Sequence, residues 1–512
     1  MATQWQTFPI EFRGGLISNL SPLQQGTNAV GSATVLQNFE ASKEGGYSKI
    51  RGYAKYSNTL VPGSGRILAL KVISSGRIIA ARKNASNVTE YYFGTGTSWT
   101  SMAARPLLGG KAKHASYNLN GDDKVVFVDG VNYPAIYNTA GNSITAVSST
   151  TDVLGADHVA FFKQTAFYAK GNTIFHTAAM TVDDFDAADG AGSIVVASDI
   201  TGLTVFRDQL IIFTTDSIKR LTGSTSSDFV LSSITDRIGC ISGDSIQEVG
   251  GDIMYLAPDG IRLLSATDRI GDFGLDVASD PITKDVNKFL NSTSNFTSLL
   301  IRERAQYRIF AYIESEQDEV AKGLIATKFV AQGASGISWS TTFGIKAYIA
   351  DSRYSGTSET ISFANNDGYV YIMDTGSSFD GSNIDALYES PFMPLSDPQM
   401  RKSFYKMTLY AEPTGPMNLN LNVIYDFDTA TNTGVIQPSA QTLESTGSSV
   451  FLYGSSSATY GTATYGGELD VVYNTNIIGS GKTIALRVED LSTNPSFTLD
   501  TALLEYRQND RQ

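Results

Sequence analysis

Leu210–Gly223 reads LIIFTTDSIKRLTG and Ile253–Ser265 reads IMYLAPDGIRLLS. Each sets branched and aromatic residues, which favour extended backbone, on both sides of a short turn built on Asp or Asp-Gly. Those turn residues tolerate the positive φ that a two- or three-residue hairpin demands, so both stretches predict strand, tight turn, strand. The unit recurs in ALKVISSGRIIAAR from Ala69, VVFVDGVNYPAIYN from Val125, TAFYAKGNTIFHT from Thr165 and ISFANNDGYVYIMD from Ile361. Its turns centre on Gly76, Asp129-Gly130, Gly171-Asn172, Asp216, Asp259-Gly260 and Asp367-Gly368.

Successive turns lie about 40 to 55 residues apart, with one double gap between Gly260 and Gly368. RIFAYIESEQDEVAKGLIATKFV from Arg308 fills that gap with a longer, charge-tipped hairpin, which makes about seven units. A four-stranded blade of this length cannot bury both faces alone, so the spacing predicts blades packed radially in a β-propeller. The rival is an ordinary β-sandwich, whose turns recur every 8 to 12 residues or so without a longer period.

The flanks differ from the repeats. Residues 1–65 carry many turn formers, including Gly14-Gly15, Ser21-Pro22 and Gly45-Gly46, and predict an extended arm. Residues 66–384 are the expected propeller, with a short helical insertion near 281–291: Asp280 is placed to cap it, Pro281 suits its first turn, and Ile282, Val286, Phe289 and Leu290 share one face. From residue 385 to 512 longer alternating strands, such as Leu419, Leu421 and Val423, predict a C-terminal β-sandwich. Within it, Thr429–Ser449 is a polar low-complexity stretch, and Tyr460-Gly461 is echoed by Tyr465-Gly466.

Composition agrees with an all-β chain: Gly, Ser, Thr, Tyr and Phe are plentiful and charged residues are only 17 %. A net charge of -13 argues against a sequence-reading nucleic-acid binder, which needs a cationic face. One cysteine, Cys240, rules out an internal disulfide framework and reads as a small buried apolar residue. Met1–Ile10 lacks the pattern of a secretory leader and no window is apolar enough for a membrane helix, so synthesis in a cytosol is expected. The sequons at Asn84, Asn87, Asn291 and Asn295 then read as chance matches.

Chemistry is thinly supplied. His114, His158 and His176 are the only histidines, and none stands in a metalloprotease or nucleophile-elbow pattern. Gly481-Lys482-Thr483 ends like a phosphate loop, but Asn476 replaces the required glycine and Ile484–Glu489 alternates as a strand, so a hairpin turn is expected. Asp183, Asp184, Asp186 and Asp189 offer hard oxygen ligands to Ca²⁺ without the spacing of a calcium loop, and read as a solvated loop. A Ser-x-Asp-x-Gly-x-x-Trp sialidase turn is missing from the sequence. No enzyme activity and no catalytic, cofactor or metal residue is assigned.

FRGGL at Phe12–Leu16, LQNFE at Leu36–Glu40, EGGY at Glu44–Tyr47 and IRGY at Ile50–Tyr53 resemble the opening of the nozzle proteins of short-tailed bacteriophages, including those named tail tubular protein B or packaged-DNA stabilization protein. LTGSTSSDFV from Leu221, Gly239-Cys240, Ser245-Ile246 and LAPDGIRLL from Leu256 resemble their propeller blades, and SFTLDTALLEYRQNDRQ from Ser496 their closing strand. The resemblance implies a virion tail protein, assembled in the host cytoplasm as a ring of six below the head-to-tail adaptor. Tail tip, needle or fibre proteins would lie beneath it, and double-stranded DNA would pass through the ring without sequence-specific contact. In that setting the acidity predicts a lumen that repels phosphate and lets the duplex slide. The alternatives are a carbohydrate-binding or hydrolytic propeller, with Trp99, Trp339 and the Tyr-Gly pairs as sugar platforms, or another tail or baseplate component.

Overall fold

Turn chemistry sets the frame of the structure, a computed structural model that describes residues 5–42, 45–73, 76–119, 122–139, 141–265, 267, 277–331, 334–395, 397–427, 437–445 and 471–509. Gly171 sits at φ 58° in the two-residue turn between Thr165–Lys170 and Thr173–His176, a conformation that would strain a residue with a Cβ. Gly260 sits at φ 145° where Asp252–Ala257 turns into Gly260–Leu263. The chain is all-β, with short helices only.

Seven antiparallel strand groups follow one another, each ordered as in the chain. Units 1 to 4 span 64–104, 113–146, 158–195 and 200–235 with four strands each, and unit 5 spans 247–263 with three. Unit 6 (296–343) has four strands at one end of a nine-stranded sheet, and unit 7 (349–373) has three completed by Tyr53–Lys55. Among the described residues no sheet closes on itself.

Apolar clusters lie between consecutive units. Ile79, Tyr91, Val125 and Tyr137 join units 1 and 2; Val126, Val128, Val159 and Tyr168 join 2 and 3; Phe167, Ile174, Leu210 and Ile212 join 3 and 4. Ile211, Phe213, Ile253 and Tyr255 join 4 and 5, Met254, Leu256, Tyr307 and Ile309 join 5 and 6, and Phe310, Ile325, Phe363 and Tyr371 join 6 and 7. A further cluster, Leu70, Ile78, Tyr348 and Val370, packs unit 7 back onto unit 1.

Unit 6 occupies the double gap between turns, its hairpin joining Gln306–Ala311 to Lys322–Ala331 through the acidic turn Asp318–Val320. Before it, the helical insertion departs in detail from expectation. Asp280–Ile282 form a 3₁₀ turn that Pro281 fits, and helix α2 runs Thr283–Leu290 with no side-chain cap, so Asp280 is not its N-cap. Ile282, Val286 and Phe289 are buried, while Leu290 at the edge of the stripe is half-buried.

The N-terminal segment contributes strands to three different sheets. Helix α1 (Pro22–Asn28) opens on a capping box between Ser21 and Gln24. Gln6–Glu11 and Tyr47–Lys49 pair with Phe497–Gln508, Val35–Gln37 inserts between Ala334–Phe343 and Ile384–Glu389, and Tyr53–Lys55 edges unit 7. After residue 384 two sheets pack face to face. One holds Lys402–Pro413 and Phe497–Gln508; the other holds Met417–Tyr425 and Ile484–Ser492, with Met407, Leu504, Leu421 and Leu486 buried between them. Of Thr429–Ser449 only 437–445 are described, with Gln441–Ser445 pairing onto Met417–Tyr425. The Tyr-Gly pairs at 460–461 and 465–466 lie outside the described residues.

Candidate functional site

Among the described residues the first strand of every unit is the edge of its sheet, with no strand beyond it to pair one row of its backbone groups. These seven edges line a single cavity of about 300 Å³. Leu70-Lys71, Lys113-His114, His158-Val159, Gly202-Leu203, Gln247, Thr297–Leu299 and Ile349–Ser352 come from units 1 to 7 in order, joined by Lys111-Ala112 just before unit 2 and Gly243-Asp244 just before unit 5.

Side chains tie the edges together. Asp351 of unit 7 accepts from Lys71 Nζ at 3.1 Å and from the Val72 backbone N–H at 2.7 Å, and lies 3.4 Å from His114 Nε2 of unit 2. Lys111 reaches Asp244 at 2.9 Å and the Phe296 carbonyl at 3.0 Å. Gln247 donates to the Ser298 carbonyl at 3.2 Å, and the Ser298 hydroxyl donates to the Asp244 carbonyl at 2.7 Å. Ser352 donates to the Leu300 carbonyl at 2.6 Å. Gly243 lies so close to unit 4 that a Cβ there would meet the Thr201 carbonyl oxygen at 2.0 Å.

His158 is the junction of units 2, 3 and 4. Its Nδ1 lies 2.9 Å from Asp157, and its Nε2 lies 2.6 Å from both Lys113 Nζ and the Thr201 carbonyl oxygen. A neutral imidazole with its proton on Nδ1 satisfies Asp157 and accepts from Lys113, leaving Thr201 unserved by that nitrogen. Burial, reinforced by Lys113, holds His158 below the ordinary imidazole value; burial and then Lys71 do the same to His114. Burial raises Asp244 and Asp351, but the facing cations outweigh it and both carboxyls lie below the usual range. Lys111 is lowered by burial against the pull of Asp244.

A second polar constellation locks the N-terminal segment in place. Lys49 and Asp490, both wholly buried, pair at 2.9 Å, and Lys49 also donates to the Ser492 and Asn494 carbonyls. Glu40 binds Arg304, Arg308 and Gln306, while Arg308 also holds Asp374 at 3.0 Å, joining the segment to units 6 and 7. Tyr47 accepts from the Gly15 N–H and donates to the Gly31 carbonyl. Gly15, at φ 70°, is pressed against Ser338 and the Trp339 backbone, where a Cβ would sit 2.4 to 2.9 Å from their atoms.

Of the residues singled out in the sequence, His114 and His158 come together at the cavity. His176 does not: it lies on the third strand of unit 3, packed against Phe167 and Phe229. Asp184 and Asp186 cap backbone N–H groups of their own loop, at Asp186 and Ala188. Among the described residues no group of three His, Cys, Asp or Glu is placed to hold a metal. Lys482-Thr483 form the turn between Val471–Gly481 and Ile484–Ser492, their N–H groups held by Asp426. Cys240 is buried, which pushes its thiol up to about 11. Trp339 is 1 % exposed with its indole bonded to the Ala278 carbonyl, so it is no sugar platform; Trp99 is half-buried against Tyr56. Lys71, Lys111, Lys113, Asp244 and Asp351 escaped the sequence reading because they fall one or two per unit over 280 residues. Their common signal is position: a charged residue on or beside the first strand of a unit.

No protein-family model matches the chain, and no curated protein matches it. Among solved structures it is similar to the extracellular domain of BT3049, named as a hybrid two component system, from B. thetaiotaomicron, at 11 % identity and a TM-score of 0.38 over 61 % of this chain. It is also similar to the extracellular domain of the one component system BT4673 from that organism, at 8 % identity and a TM-score of 0.38 over 69 % of this chain. The matches span 40 % and 43 % of those chains, less than half of each.

Proposed function

We propose that the seven units form a β-propeller fused to a C-terminal β-sandwich, and that the chain is a nozzle subunit of a short-tailed bacteriophage tail. What supports the propeller is the return of unit 7 onto unit 1 together with one cavity shared by seven edge strands. Tyr53–Lys55 then serves as the clasp, adding an N-terminal strand to the last blade.

The observation that carries the nozzle reading is the place of the resemblance-bearing residues. Phe12, Leu16, Leu36, Phe39, Tyr47, Ile50 and Tyr53 are all buried, and Gly15 and Glu40 are joint contacts. Phe12, Leu16, Leu36, Phe39 and Tyr47 share one core with units 5 and 6 and the sandwich, while Ile50 and Tyr53 pack against units 6 and 7; a conduit subunit under internal pressure needs such a weld and a free binding module does not. In this reading six copies form a ring beneath the head-to-tail adaptor, with tip, needle or fibre proteins below and DNA in the lumen. The subunit is structural, not enzymatic.

Electron microscopy of tailed particles labelled with an antibody to this chain tests the assignment. Label at the lower end of a short tail, and docking of the purified protein onto adaptor rings, are the expected results. Label elsewhere, or saturable binding of host glycans without docking, overturns it.

A further inference from the structure

We infer that the shared cavity is a binding site for a small oxyanion of the phosphate class. The inference rests on the cavity alone and stands or falls apart from the nozzle reading. Four cations line it, Lys71, Lys111, Lys113 and Arg302, against two carboxylates, Asp244 and Asp351. With Glu359 set against Arg302, the cations at the cavity exceed the carboxylates by one, in a chain of net charge -13.

The surplus is localised. Lys71 is spoken for by Asp351 and Lys111 by Asp244. Arg302 pairs with Glu359 but is 46 % exposed, with its Nη1 also 3.4 Å from the Ser352 hydroxyl. Among the described residues Lys113 forms no ion pair of its own, although its charge also acts on Asp244; it bonds Nε2 of His158, which also faces the Thr201 carbonyl. An ammonium with three donors that spends one on an imidazole already contested by a carbonyl is poised to take a better acceptor. A phosphate oxygen supplies one through a charge-assisted bond.

Size and lining fit the same class. About 300 Å³ is at the lower end of small-ligand cavities, roomy for a tetrahedral oxyanion and far too small for a nucleic-acid duplex. The strand edges add backbone N–H groups of the kind that already serve Asp351 at Val72.

The probe is inorganic phosphate, titrated into the full chain by calorimetry and thermal unfolding at constant ionic strength against chloride. Saturable one-to-one binding is expected, weakened about tenfold or more in Lys113→Gln, which removes one charge-assisted donor. Lys219→Gln, outside the cavity at a surface pair with Asp236, should leave the affinity unchanged. Circular dichroism and the unfolding transition establish that each variant is folded. A folded wild type that binds no phosphate saturably, or binding that Lys113→Gln does not weaken, overturns the inference. So does competition by a short blunt duplex, which would move the cations to a nucleic-acid surface.

Discussion

Replacing Lys49 by Met removes the charge from the most deeply buried ion pair while keeping a side chain of similar length and apolar stem. Both Lys49 and Asp490 have no exposed side-chain surface, so solvent screening does not soften the loss. The ammonium is bonded to Asp490 Oδ2 at 2.9 Å, the Ser492 carbonyl at 3.1 Å and the Asn494 carbonyl at 3.2 Å. Lys49→Met therefore strands one carboxylate and deprives two carbonyls of their donor, and breaking a buried pair from one side costs about 3–5 kcal/mol.

The same reasoning predicts that the second substitution repairs much of the first. Burial lowers Lys49 in spite of the attraction of Asp490, so the ionised pair sits in the fold at a desolvation cost. Lys49→Met with Asp490→Leu removes both charges and should recover to within about 2 kcal/mol of wild type, the remainder reflecting the two orphaned carbonyls. Urea unfolding followed by tryptophan fluorescence suits the measurement, because Trp339 is buried at the joint on the Ala278 carbonyl. A single-variant cost below about 1 kcal/mol would mean that the joint is wet. A double variant as unstable as the sum of the singles would mean that the two charges are not coupled, and would refute the reasoning.

Gly243→Ala forces a Cβ against the Thr201 carbonyl at 2.0 Å and should cost about 1–3 kcal/mol, whereas Gly141→Ala, with its nearest contact at 3.4 Å, should stay within about 0.5 kcal/mol; thermal unfolding of both compares them directly. His114 and His158 are held below the imidazole value in the fold, so between the ordinary pKa near 6.5 and their lowered values the unfolded chain binds more protons. Stability should fall as pH drops from about 7 towards 5, by up to about 1.4 kcal/mol per pH unit for each histidine, and an undiminished slope in His114→Gln/His158→Gln would exclude these two as its source. The depressed carboxyls Asp244 and Asp351 act in a separate window, their contribution being lost only as pH falls below about 4.

What the sequence discloses is local. A turn such as Gly171-Asn172 is set by residues next to one another, so every hairpin quoted above could be read from its own fourteen or so residues. The stripe Ile282, Val286, Phe289 is legible for the same reason, and so is the Ser21–Gln24 capping box, whose spacing was there to be read. Val35–Gln37 is a different case. Three residues have no period, and they are extended because Ala334–Phe343 and Ile384–Glu389 stand on either side of them. The cavity was illegible on the same ground: Lys113 and His158 are 45 positions apart, Lys71 and Asp351 are 280, and only the packing of sheet on sheet makes them neighbours.

The division of labour between apolar and polar contacts follows from where edges occur. Faces of the sheets carry the branched and aromatic residues, and those clusters decide which unit lies against which. The first strand of each unit, having no partner beyond it, presents polar backbone that an apolar plug would leave unsatisfied. Lysine and aspartate reaching across the cavity answer that need, and they do so between units that are distant in the chain: Lys111 beside unit 2 to Asp244 before unit 5, and His114 of unit 2 to Asp351 of unit 7. Such cross-ties make the position of each unit depend on several others. In the propeller reading this is why a clasp of only three residues, Tyr53–Lys55, is sufficient at the seam: its four-stranded sheet is held by Leu70, Ile78, Tyr348 and Val370 on its face and by Asp351 at its inner edge, and the clasp has only to cover the outer one.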